Sequence, residues 1–341
     1  MRKKLLLPFV LILMILHACG GPEPELQESP EGDAATESGS GSLTWASGAQ
    51  GGGWYSMAGG ISSLIQENNS DINIRTIPGG SMQNMPFISN NEAQLAWMQP
   101  PFIIAGLEGT EPFEENYENV STIGNGFGTN HFHFIVGEDT GIESIDEIFE
   151  NEMGVNIAVT PVNNSDEWVF RRFLEYYDVT YEDIESWGGS IFHNSYQEQV
   201  DAFSNGNVDV VFTQLAIPAS SVTEAGVSRD MRILPMSEDM MEYLTDFGLE
   251  VNEIPADTYP EAVNGDEAIP TASMGNVLTV NSEVDEETVY EITKIINENV
   301  ERLPDIHSSL NDYDIENATE NLLTDLHPGA ERYYQEIGEL D

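Results

Sequence analysis

The chain has a single cysteine, Cys19, in 341 residues. No intrachain disulfide can form, and no cysteine-rich metal site. Positive charge is nearly as scarce, with 11 Lys and Arg against 60 Asp and Glu and a formal net charge of -49. Such a surface excludes nucleic acid, which needs basic groups, and electrostatic docking on anionic lipid. Past the amino terminus the only lysine is Lys294, so there is no Walker P-loop, and a Schiff-base site is disfavoured. Gly-x-Ser-x-Gly and His-Glu-x-x-His are both absent, which removes the nucleophile elbow and the zinc-protease helix. Gly48–Gly53 departs from the Gly-x-Gly-x-x-Gly spacing of a dinucleotide loop. Asp312-x-Asp314-x-Glu316 lacks the glycine and the terminal glutamate of a calcium loop and reads as acidic surface. These absences point away from an enzyme, and no cofactor or metal is implied.

Long apolar runs are missing too. Leu5–Leu16, behind the basic Met1-Arg2-Lys3-Lys4, is short for a membrane span and reads as the h-region of a signal peptide over residues 1–18. It ends in Leu16-His17-Ala18-Cys19-Gly20, which resembles a bacterial lipobox with Cys19 as the lipidated residue. Residues 19–42 are rich in Gly, Pro, Ser and Glu and read as a flexible acidic tether. Signal, lipid acceptor, tether and body together predict a protein anchored to the outer face of the cell membrane. The remainder, 40% hydrophobic overall and periodic, predicts a folded body whose acidity suits a saline or alkaline medium.

That body is organised around Leu43–Pro101. Leu43-Thr44-Trp45-Ala46 reads as a strand that runs into Ser47-Gly48-Ala49-Gln50-Gly51-Gly52-Gly53-Trp54-Tyr55. Met57, Ala58, Ile61, Leu64 and Ile65 then recur at helical spacing. A strand, a glycine loop and a helix aim backbone N–H groups and a positive helix end at an anion. The logic repeats: Ile72–Ile77 alternates as a strand, and Pro78-Gly79-Gly80-Ser81 turns, with Ser81 placed to cap the next helix. A third strand, Ala93–Gln99, stops at Pro100-Pro101. Ligands of α/β sheets sit beyond the carboxyl ends of strands, and three turns gather there.

These residues resemble the start of the TAXI family, the solute receptors of a class of TRAP transporters. The resemblance rests on Gly51-Gly52-Gly53-Trp54-Tyr55, Pro78-Gly79-Gly80-Ser81 and Met98-Gln99. It continues in Ile254-Pro255-Ala256-Asp257-Thr258-Tyr259-Pro260 and Leu326-His327-Pro328-Gly329-Ala330-Glu331-Arg332-Tyr333-Tyr334, in the family's order. It implies a two-lobed α/β fold, periplasmic-binding-protein-like of type II, with lobes joined by crossing strands. Lobe one would comprise residues 43–132 and 272–341, and lobe two residues 133–271. The resemblance further implies capture of a small organic anion, such as glutamate or a related dicarboxylate, for a membrane permease. The implied ligand contacts are Gly51, Gly52, Gly53, Trp54, Tyr55, Gly80, Ser81 and Gln99 from lobe one. From lobe two they are Asn163, Asn164 and Ser165, in place of the family's small-residue loop, and Gln214 at the end of the strand Val208–Phe212. A ligand-sensing lipoprotein reporting to a membrane kinase would share this fold and site, and an extracellular enzyme is the remaining rival.

Other residues have two readings. His131 and His133 face the same way on a strand and serve either as a metal pair or as a structural pair; no Cys or third His stands near them in the sequence. Arg171, Arg172 and Arg75 either offset a ligand carboxylate or pair with neighbouring acids. Ser165 either meets the ligand or only caps a helix. Thr122–Val136 and Ala272–Val280 read as extended crossings between lobes, with Gly124, Gly126 and Gly128 allowing a hinge.

Overall fold

The computed structural model describes residues 42–340 except Ala49, Gly51, Asn163 and Asp312. The chain starts with β1 (Leu43–Ala46), α1 (Gly53–Asn68), β2 (Ile74–Ile77), α2 (Ser81–Ser89), β3 (Leu95–Met98), α3 (Pro100–Glu108) and β4 (Val120–Gly124). It continues through β5 (Thr129–Gly137), α4 (Ile145–Glu150), β6 (Asn156–Val159), α5 (Ser165–Tyr176), α6 (Tyr181–Ser186), β7 (Ser190–His193), α7 (Tyr196–Ser204) and β8 (Val210–Leu215). Then follow α8 (Ser220–Ser228), β9 (Met231–Ile233), α9 (Glu238–Thr245), β10 (Glu250–Ile254) and β11 (Ile269–Gly275). The chain ends with β12 (Val277–Asn281), α10 (Glu286–Glu298), α11 (Leu303–Ile306) and α12 (Pro328–Ile337).

Two sheets divide these strands. The first has the order β2-β1-β3-β12-β4, and the second runs β10-β11-β5-β8-β6-β7 with β9 paired to β5. In the first, β1 is parallel to both β2 and β3, so α1, α2 and α3 all begin at one edge. In the second, β6 is parallel to β7 and β8, and α5 begins at the matching edge. This is the two-lobed α/β architecture, each lobe built on one sheet. Among the described residues no helix is long and apolar enough to cross a membrane.

Two short segments join the sheets. The extended run expected from Thr122 to Val136 is broken at residues 125–128, because Gly126 and Gly128 adopt positive φ of 81° and 83°. A Cβ on Gly128 would lie 2.3 Å from the Ser309 carbonyl oxygen, so only glycine fits. Asn276, the single residue between β11 and β12, knits the two crossings together. Its N–H donates to Gly128 O and its carbonyl accepts from Phe127 N–H. Its side-chain amide donates to Phe127 O at 3.0 Å.

Burial follows the sequence periodicity. In α10 the apolar Val289, Ile292, Ile295 and Ile296 are buried at helical spacing, and Asp285 caps the start by accepting from Thr288 N–H. Every residue of β3 is buried, as befits a central strand covered on both faces. One apolar cluster runs from Met85 and Phe102 in the first lobe to Trp168 and Phe212 in the second. Phe102 meets Trp168 edge-on, with ring centroids 5.2 Å apart. The lobes therefore share an apolar contact between α3 and α5.

Candidate functional site

The strand ends of the first sheet are held in register by one buried amide. Asn84, on α2 and fully buried, donates from Nδ2 to Ser47 O and Trp97 O, both at 2.8 Å, and more weakly to Ala46 O. Its Oδ1 accepts from Gly80 N–H at 3.1 Å. A single side chain thus ties the ends of β1 and β3 to the turn after β2. Gly79 must be glycine here, since a Cβ would lie 2.0 Å from Asn84 Oδ1.

On this frame each lobe presents a serine at the first residue of a helix, bonded to a glutamine from a strand end. In lobe one Ser81 Oγ donates to Gln99 Oε1 at 3.3 Å. In lobe two Ser165 Oγ donates to Gln214 Oε1 at 3.0 Å. Ser81, Gln99 and Gln214 are buried, and Gln214 Nε2 has no hydrogen-bond partner. The residue before each serine carries the two lobes toward one another: a Cβ built on Gly80 would sit 3.8 Å from Asn164 Oδ1. The starts of α2 and α5 therefore face each other across the cleft.

Neither serine caps its helix. Gly80 and Asn164 occupy the cap positions, neither with a side-chain cap bond, and each serine hydroxyl is turned to its glutamine. The expected cap at Ser81 is thereby corrected. Behind Ser165, the fully buried Asp166 carboxylate accepts from Gln214 N–H at 2.7 Å and, at longer range, from the Tyr196 and Thr213 hydroxyls. Burial pushes this carboxyl up to about 6, against the pull of those donors.

In the glycine loop the backbone angles of Gly52 and Gly53 do not by themselves require glycine. Gly52 sits at φ -83°, ψ 167°, a conformation open to any residue. Gly53 starts α1, and a Cβ there would lie 3.1 Å from His307 Nε2, so its close neighbour is that imidazole. Trp54 donates its indole N–H to Asn276 Oδ1 at 3.0 Å, and its carbonyl accepts from Trp97 Nε1. The start of α1 is thus fastened to the hinge. Tyr55 is half-buried on the first turn of α1. Gly51, Asn163 and Cys19 lie outside the described residues, as do the signal peptide and the tether up to residue 41.

The arginines are committed elsewhere. Arg171 pairs with Glu111 and Glu167, and Arg172 with Glu111 and Glu175. Arg75 is exposed on β2 and reaches Thr44 Oγ1. The histidine pair is structural in its contacts: His133 is fully buried, with Nδ1 bonded to His131 O and Nε2 to the Tyr259 hydroxyl. Among the described residues no group of three or more His, Cys, Asp or Glu is placed to hold a metal.

Helix starts supply what the arginines do not. In a chain with 60 acids, the first turns of α1, α2, α3 and α8 carry none, whereas those of α4, α5, α6, α7, α9, α10, α11 and α12 all do, with Asp166 and Glu167 on α5. Among the described residues, these three helix starts of lobe one therefore carry no carboxylate of their own to neutralise their N–H dipoles. Sequence reading missed Asn84, Asn276 and Asp166; each is a polar residue at helical or strand spacing whose partners are distant in the chain.

Known structures share this architecture at low identity. MatC from Rhodopseudomonas palustris, solved with bound malate, aligns over 87% of this chain and 96% of its own, with 11% identity and a TM-score of 0.52. The periplasmic binding protein BugD aligns over 87% and 93%, with 12% identity and a TM-score of 0.51. PhnD1 from Prochlorococcus marinus, in complex with methylphosphonate, aligns over 87% and 98%, with 11% identity and a TM-score of 0.50. The fold is that of the two-lobed periplasmic binding proteins. The sequence profile of the NMT1-like family matches residues 45–338, nearly the whole of the folded body, and the chain belongs to that family.

Proposed function

We propose that the protein is an extracytoplasmic solute-binding receptor that closes its lobes on a small organic anion, glutamate or a related dicarboxylate, and delivers it to a TRAP-type membrane permease. The observation that carries the anion reading is that the starts of α1, α2 and α3 carry no acid of their own in so acidic a chain. An anion there is met by backbone N–H groups and the Gln99 and Gln214 amide N–H groups, and by the Ser81 and Ser165 hydroxyls once they turn from the glutamine oxygens, in a site from which closure excludes water. The unpartnered Gln214 Nε2 is a donor awaiting an acceptor. The TRAP partner rests on the motif resemblance of the sequence. Malate and methylphosphonate, seen in two proteins of this fold, are small oxyanions of the kind such a site would take.

A thermal-shift panel of glutamate, 2-oxoglutarate, succinate, glutamine and neutral sugars tests this. A carboxylate should stabilise the wild type by about 2.7 kcal/mol at roughly 100 times Kd. Gln99→Ala should weaken that ligand about ten- to a hundred-fold, the loss of one hydrogen bond to a charged group. Stabilisation by sugars alone would overturn the anion reading. An anion that binds Gln99→Ala and Gln214→Ala as well as wild type would place the site elsewhere.

The membrane location rests on Cys19. Labelled palmitate should enter the wild type in cells and should not enter Cys19→Ala; equal labelling of the two removes the anchor from the reading.

A further inference from the structure

Glu111, on the loop between α3 and β4, is the one acid that receives cations from the other lobe among the described residues. Its Oε1 meets Arg171 Nη1 at 2.9 Å, and its Oε2 meets Arg172 Nη2 at 3.1 Å and the Trp168 indole N–H at 3.0 Å. All three donors lie on α5, the helix whose first turn carries Asn164 side by side with Ser165 and Asp166 at the cleft. Every other ion pair of the described body joins residues of the same lobe: Arg171 to Glu167, Arg172 to Glu175, Arg229 to Asp139, Arg232 to Glu138, Arg302 to Glu67, and Arg332 to Glu286 and Glu287.

The surroundings make this fork rigid. Arg172 is 11% exposed and lies over the rings of Trp168 at 4.9 Å and Phe247 at 5.3 Å. Trp168 is itself buried against Phe102 of α3. Gly248, beside Phe247, packs on Pro101 and Ile104. Planar guanidinium groups stacked on aromatic rings keep their fork aimed with little entropy left to lose. Two strongly acidic lobes repel as they approach, so an attractive charge contact between them has an outsized effect on closure.

We propose that Glu111 is the positioning residue for closure: it locks α5, and with it Ser165 and Gln214, against lobe one, and sets the fraction of molecules whose cleft is shut. The proposal rests on the two-lobed capture reading but not on the identity of the solute. Loss of the carboxylate leaves the cleft side chains untouched and opens the lobes more often. It therefore weakens any solute in proportion to the closed fraction.

Hydrogen–deuterium exchange of the full chain without added solute tests it. In Glu111→Gln the segments 80–86 and 164–170, which face each other across the cleft, should exchange about ten-fold faster, the lower end for charged hydrogen bonds once half-exposure is discounted. Segments in α10 and α12 should be unchanged. Glu114→Gln removes the same charge three residues away from an exposed side chain with no ion pair, and it should behave as wild type. Arg171→Gln/Arg172→Gln should show at least this effect, since it also takes the buried Glu167 and the exposed Glu175 from their partners, and adding Glu111→Gln to that pair should change nothing further. Unchanged exchange in Glu111→Gln, acceleration everywhere in the chain, an equal effect from Glu114→Gln, or an additive triple variant each overturns the latch. None of these outcomes bears on the solute panel, where the capture reading stands or falls.

Discussion

Asn84→Ala should lower the unfolding free energy of lobe one by about 3–5 kcal/mol, because it orphans several buried backbone groups at once. The side chain is fully buried, with both ends of its amide in use. Its removal leaves the buried Ser47 O and Trp97 O without their donor and the half-buried Gly80 N–H without its acceptor. Each such group costs roughly 1–3 kcal/mol, and the vacated volume adds a cavity term. Asn84→Asp should be at least as damaging, since a second oxygen would face two carbonyls 2.8 Å away. The measurement is denaturant unfolding followed by fluorescence; Trp45, Trp54 and Trp97 report lobe one, and Trp168 and Trp187 report lobe two. The lobe-one signal should move first. A loss below about 1 kcal/mol, within the range of an ordinary surface substitution, would sink the claim that this amide holds the strand ends together.

That residue also marks the limit of what the sequence makes legible. Strand β1 and the helix after the glycine loop are readable from periodicity and turn residues, because both signals are local. The turn at Pro78–Ser81 is readable for the same reason. The partners of Asn84 are not: they sit 13 and 37 residues away, and nothing about an asparagine at helical spacing announces four buried bonds. Glu111 looks like one more acid in an acidic loop until α5 is placed beside it. Apolar spacing predicts one amphipathic helix over Val284–Leu303, but α10 ends at Glu298, where Asn299 leaves helical φ/ψ, and a new short helix starts at Leu303. Asn299 is a weak helix former, and its Nδ2 donates to Ile295 O at 2.8 Å, so the break is local in origin. The serine–glutamine pairings are a middle case. The residues stand out as turn and strand-end positions, yet their mutual bonds depend on how strands are ordered in the sheet.

Tyr259 shows how a motif residue acquires a meaning that its neighbourhood in the chain does not carry. Within Ile254–Pro260 it reads as part of a family element. In the fold it reaches 126 residues back to His133 and accepts from Ala219 N–H at 2.9 Å. The donors and acceptors then allow one arrangement. His131 O can only accept, so His133 Nδ1 carries the proton and donates to it. His133 Nε2 is left as the acceptor for the Tyr259 hydroxyl, whose oxygen takes the Ala219 N–H. Every member is satisfied by a neutral imidazole.

Acid should therefore unfold the wild type through His133 more than through any single carboxylate. A second proton on the ring would confront the Tyr259 hydroxyl donor with another donor, in a fully buried site. Burial, with the neighbouring His131 adding to it, holds His133 down to about 3. The unfolded chain takes up this proton near the ordinary 6.5 and the folded chain resists until about 3. The stability contributed by the neutral ring is thus complete above 6.5 and is lost progressively as pH falls through that window, at roughly 1.4 kcal/mol per unit. Asp166 works the other way. Its raised carboxyl holds a proton that the unfolded chain gives up near 3.8, so its contribution grows as pH falls from about 6. His131, His307 and His327 are also lowered by burial and add to the acid loss. A comparison of wild type with His133→Gln cancels these shared contributions. Between pH 6.5 and 4 the wild type should lose about 3 kcal/mol more than the variant, even though the variant starts less stable at pH 8. Urea unfolding at half-unit steps of pH gives both curves. Parallel curves would mean that His133 is protonated in the folded protein as readily as in the unfolded one, and that the Tyr259 bond does not select the neutral ring.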